Sequence, residues 1–129
     1  MTRNIIGENK NLIAAAGGIP RLVLLAGSTL MAVRIEAIAA LANLAVNDHN
    51  EIEIVRYHGL EPIVNGLVVS SDGLNHHHNK SEKELQLLEE LATQCSRSIR
   101  NLSVNRKLTY SRNLSHCRNL SVVILYRCK

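Results

Sequence analysis

The apolar positions of this chain fall at helical spacing, and the pattern then returns. Between Leu30 and Val46 they are Val33, Ala37, Ala40, Leu41, Leu44 and Ala45, spaced to lie on one face of a long helix. Lys83 to Val104 reads the same way. Two shorter apolar segments precede each long helix. Asn9 to Ala16 predicts a short helix stopped by Gly17-Gly18, because glycine accepts the positive φ that closes a helix C-terminus. Pro20 belongs to a first turn, where its missing N–H has no intrahelical partner, so Ile19 to Ala26 predicts a second helix. Asn47-Asp48-His49-Asn50 is expected to end the long helix. The plan then restarts with a helix over Glu51 to Tyr57, a turn at His58-Gly59 and a helix across Pro62 to Val69. Ser70 to Glu82, polar and rich in turn formers, is expected to be a surface loop.

The register holds residue by residue. An offset of 41 lays Asn9 on Asn50, Ile13 on Ile54, Gly18 on Gly59, Leu22 on Ile63 and Val23 on Val64. Past Ser70 the offset is 58, with Val33 on Leu91, Ala37 on Cys95, Leu41 on Ile99, Asn43 on Asn101 and Asn47 on Asn105, so the second copy carries 17 extra residues. A repeat of this period predicts a solenoid, in which each unit buries its apolar face only against its neighbours. The units are 9–49 and 50–105, the second with an inserted polar loop at about 70–82. Residues 106–129 form a basic tail with no third copy of the pattern.

Composition narrows the fold to all-α. Phe and Trp are absent, and a core of Leu, Ile, Val and Ala suits closely stacked helices. No run of 18 apolar residues and no secretory leader pattern is present, which sets a cytoplasmic or nuclear expectation. The net charge of +4 is unevenly placed: the last acidic residue is Glu90, and Arg97, Arg100, Arg106, Lys107, Arg112, Arg118, Arg127 and Lys129 follow it. Without interleaved aromatic residues beyond Tyr110 and Tyr126, this stretch ranks below a protein partner as a nucleic-acid or membrane site. Cys95, Cys117 and Cys128 lack CxxC spacing and read as reduced thiols, Cys95 at the core register of Ala37. His76-His77-His78 and His58 have no Cys or carboxylate at ligand spacing, so no metal is expected. No nucleophile elbow, phosphate loop or paired carboxylates are visible; no enzyme, cofactor or small-molecule substrate is expected.

Gly17-Gly18-Ile19-Pro20 opening a second helix, and Ala40-Leu41-Ala42-Asn43-Leu44-Ala45 closing a third, resemble the armadillo repeat, and the resemblance covers about Asn9 to Asn105. It implies a right-handed α–α superhelix of two three-helix units. It also implies a protein-interaction module whose third helices line a groove for an extended partner segment. The groove asparagine of that family maps onto Asn43 and Asn101, and helical spacing adds Glu36, Asn47, Gln94, Arg97 and Asn105 to the face. The competing role for the two asparagines is bracing neighbouring helices. The sequence departs from nuclear-import members of the family, which place a Trp four residues before the groove Asn, where this chain has Ala39 and Arg97. With Arg97 and Arg100 on or near the face, an acidic segment is favoured over a basic one. The alternative is a structural segment that stacks on further repeats without its own ligand, with self-association through uncapped faces as its corollary.

Overall fold

The computed structural model describes residues 2–103, with side chains from Glu8 onward, and in them every regular element is helical. The order is α1 (Thr2–Ala15), α2 (Gly18–Ala26), α3 (Met31–Leu44), α4 (Asp48–Arg56), α5 (Leu60–Asn75) and α6 (Glu82–Leu102), with a single 3-10 turn at His77–Asn79. The fold is all-α and of armadillo type: three helices, α1–α3, and then three more, α4–α6. The basic tail at 106–129, with Cys117 and Cys128, lies outside the described residues.

Each unit turns its first corner through one left-handed residue. Gly17 takes φ 78° between α1 and α2, and His58, its counterpart at the offset of 41, takes φ 61° between α4 and α5. Glycine adopts this conformation freely, whereas a Cβ costs roughly 1 kcal/mol there. Helix α4 starts earlier than its apolar pattern suggests. The Asn47 side chain accepts from the N–H groups of His49 (2.9 Å) and Asn50 (3.3 Å), and Asp48 and Glu51 in the first turn complement the helix dipole. The polar run at 47–50 is therefore a helix start, and not only a helix end.

The largest departure from expectation is at 70–82. Helix α5 continues through Asn75, and only residues 76–81 connect it to α6. Gly66 and Gly73, two turns apart on α5, explain the continuation. A Cβ on Gly66 would stand 2.8 Å from Cys95 Sγ, and one on Gly73 would stand 2.7 Å from Leu88 Cδ1, so α6 lies directly against this face. Buried Ser70 turns its hydroxyl onto the Leu67 carbonyl at 2.9 Å. Polar composition marked a loop, but these small residues serve close helix packing. The inserted residues lengthen the hairpin: α5 has 16 residues against 9 in α2, and α6 has 21 against 14 in α3. At its new start α6 has a capping box. Ser81 Oγ accepts from the Glu84 N–H, and the Ser81 N–H donates to Glu84 Oε2 at 2.7 Å, which holds the Glu84 carboxyl below the usual carboxylate range.

The core lies where the two units meet. Ile19, Ile38, Leu41, Ile54, Ile63, Leu91 and Cys95 are fully buried in one cluster drawn from α2 to α6, and each large aliphatic side chain contributes about 1.5–3 kcal/mol by leaving water. Burial pushes the Cys95 thiol up to about 11, against a small opposing effect of Arg34.

Two outcomes follow for the folded chain. His58→Gly is expected to raise, and Gly17→Ala to lower, the unfolding free energy in urea by about 1 kcal/mol each. Cys95 is expected to resist iodoacetamide at pH 8 in the folded protein and to label on unfolding, read by mass spectrometry of the peptide that carries it.

Candidate functional site

Helices α3 and α6 lie side by side, and α6 fastens itself to the backbone of α3 by three side chains. Arg97 Nη2 donates to the Ala39 carbonyl at 3.2 Å and Asn101 Nδ2 to the Ala42 carbonyl at 2.8 Å, while the Ser98 hydroxyl is shared between the Ile38 carbonyl at 3.2 Å and the Gln94 carbonyl of its own helix at 2.9 Å. Ala42 stands in the last turn of α3, where carbonyls lack an intrahelical donor, so Asn101 supplies a partner that the helix end needs. The second nitrogen of Arg97, Nη1, donates to Asn43 Oδ1 at 3.0 Å. The guanidinium thus spans the two helices and holds the exposed Asn43 side chain at their junction.

The structure sorts the seven face residues expected from the sequence. Asn43, Arg97 and Asn101 come together as described. Glu36 is exposed two turns before Asn43 on α3. Gln94 Nε2 donates to Glu90 Oε1 at 2.6 Å along its own helix. Asn47 is drawn away from the face: besides capping α4, its Nδ2 donates to Asn11 Oδ1 at 3.2 Å, which ties α1 to the start of the second unit. Asn105 lies outside the described residues. Sequence reasoning overlooked Ser98 and the pair in which Arg34 Nη2 donates to Asn65 Oδ1 at 2.7 Å. A serine at the register position of Ala40, inside an apolar row, was the available signal for Ser98.

Among the described residues, both asparagines keep one polar atom without a hydrogen-bond partner. Asn43 uses Oδ1 and leaves its Nδ2 donor; Asn101 uses Nδ2 and leaves its Oδ1 acceptor. A donor and an acceptor from successive units match the alternating groups of an extended peptide backbone. Bracing and ligand contact are therefore compatible, one atom for each.

Other chemistries find less material. His76 and His77 each place Nδ1 near a carbonyl of α5, Asp72 at 3.0 Å and Leu74 at 3.2 Å, and among the described residues no three His, Cys, Asp or Glu side chains converge on a metal position. No helix of the described residues is long and apolar enough to cross a membrane.

Comparison with known families identifies the first unit directly: the Armadillo/beta-catenin-like repeat model matches residues 8–46, which run from α1 through α2 and α3. Residues 8–46 are an armadillo repeat. No curated protein and no solved structure matches it. Armadillo repeats generally bind other proteins or peptides and are typically scaffolds without catalytic activity. The helix order of the matched unit recurs in α4–α6, and the asparagine of its third helix recurs as Asn101.

The two asparagines of this face should separate in a stability measurement. Asn101→Ala leaves the Ala42 carbonyl without its donor and is expected to cost about 1–2 kcal/mol in urea unfolding. Asn43→Ala, at an exposed position, is expected to stay within about 0.5 kcal/mol of the parent.

Proposed function

We propose that this chain is an interaction module that binds an extended, acidic segment of a partner protein across α3 and α6. The observation that carries the reading is the trio Asn43, Arg97 and Asn101. Two fixed amides offer one donor and one acceptor to a passing backbone, and a guanidinium between them is already oriented by Asn43 and Ala39. An oriented guanidinium favours a carboxylate ligand, because part of the ordering entropy is already spent in the free protein. Arg100 is exposed on the next turn, and Glu90 is engaged by Gln94. A cationic segment would meet Arg97 and Arg100 with no aromatic plane on which to seat its lysine stems. Two units give few backbone contacts, so affinity is modest.

Fluorescence titration with labelled twelve-residue oligoglutamate and oligolysine peptides tests this. Oligoglutamate is expected to bind, and Arg97→Glu to weaken it at least ten-fold while the circular dichroism spectrum stays helical. Preference for oligolysine, or an Arg97→Glu protein that binds oligoglutamate as before, refutes the assignment.

A further inference from the structure

We propose that Asn65 is a deamidation site, and that the aspartate it becomes completes a two-bond ion pair with Arg34 across the two units. The inference is independent of peptide binding across α3 and α6.

The receiving side is already present. Arg34 Nη2 donates to Asn65 Oδ1 at 2.7 Å, while Arg34 Nε is buried and has no hydrogen-bond partner among the described residues. In a guanidinium the Nε–H and one N–H of Nη2 point the same way from one edge, spaced for the two oxygens of a carboxylate. Asparagine offers that edge a single acceptor. Its other terminal atom is an NH2, a donor that cannot serve the Nε–H. Aspartate has the same shape with an oxygen in that place, so exchanging the amide for a carboxylate supplies the missing acceptor and brings opposite charges into contact.

Sequence and packing supply the reaction. Asn65-Gly66 is the one Asn-Gly pair of the chain. Glycine is needed there for close approach, since a Cβ on Gly66 would stand 2.8 Å from Cys95 Sγ and 3.4 Å from Ile38 Cδ1. The offset of 41 puts Leu24-Leu25 at the same place in the first unit, so the pair belongs to the second alone. With no Cβ on Gly66, nothing shields its main-chain nitrogen. That nitrogen attacks Asn65 Cγ, the Cγ–N bond of the side-chain amide breaks, and ammonia leaves with the proton of the Gly66 N–H, which yields a five-membered succinimide. Water then opens the ring. Entry at the side-chain carbonyl gives aspartate, and entry at the main-chain carbonyl gives isoaspartate with a lengthened backbone.

The fold decides when this happens and which product it keeps. Within α5 the Gly66 N–H is directed along the helix to the preceding turn, away from Asn65 Cγ, and Gly66 is buried against α6. Ring closure therefore belongs to the unfolded chain or to an opening of α5. Isoaspartate would put α5 out of phase and lift Gly66 from Cys95, whereas aspartate preserves both. Glu61, four residues earlier and exposed, is a like charge that solvent screens, while the Arg34 edge is shielded by its burial.

Asn65→Asp stands for the modified chain, and its urea midpoint at neutral pH is expected to lie above that of the parent. Placed in an Arg34→Ala background, the same substitution should give no increase. The reaction itself is read by peptide mass spectrometry after incubation in mildly alkaline buffer. Asn65 is expected to convert at least ten-fold faster in urea than in the folded chain, and Gly66→Ala to slow the conversion in urea at least ten-fold, where folding plays no part. An Asn65→Asp midpoint at or below the parent's, or an increase that survives the loss of Arg34, overturns the proposal. So do equal conversion rates in the folded and unfolded chains, or a Gly66→Ala chain that converts as fast as the parent in urea.

Discussion

Helix α3 carries Ile35, Ile38, Leu41 and Ala42 on the flank that faces the second unit, and α6 covers them while donating hydrogen bonds to three of α3's carbonyls. Without this contact the first unit would expose its aliphatic row and the second would lose the wall on which Ile54, Ile63 and Leu91 are buried. Apolar burial provides the free energy, and the directional bonds from Arg97, Ser98 and Asn101 fix the sliding register of one helix on the other. A slip of one residue would strand buried polar atoms at full desolvation cost.

That register also builds the candidate site. Because α6 is held at Ala39 and Ala42, Arg97 reaches Asn43 and the two asparagines are presented along one line. In the proposed binding mode, structural and binding roles are divided between atoms of a single amide group. The proposed face is held by the same contacts that join the two units, so little further ordering would be needed when an extended segment arrives.

The lengthened α5–α6 hairpin shows how a repeat absorbs an insertion. Adding seven residues to each helix keeps the facing surfaces in phase, since seven residues are close to two turns. Gly66 meets Cys95 and Gly73 meets Leu88, each pair seven residues apart along its helix, so the extension repeats the contact already present. The extra turns need no new core and leave the interface with α3 undisturbed.

The amino-acid sequence by itself determined the helical class, the two-unit order, the corners at Gly17 and His58, and the pairing of Asn43 with Asn101. All of these follow from local propensity and from a repeat that can be aligned on itself. It did not mark Ser70 to Asn75 as helix, because serine, aspartate and glycine signal a loop until a neighbouring helix gives their smallness a use. Nor did it separate Asn47 from the groove residues, since a capping amide and a ligand-binding amide have the same local pattern. Only the tertiary structure decided which atom of each asparagine is occupied, that Arg97 spans two helices, and that Arg34 meets Asn65 across the two units. Those are properties of contacts between residues 31 to 60 positions apart, and the chain's local energetics do not encode them.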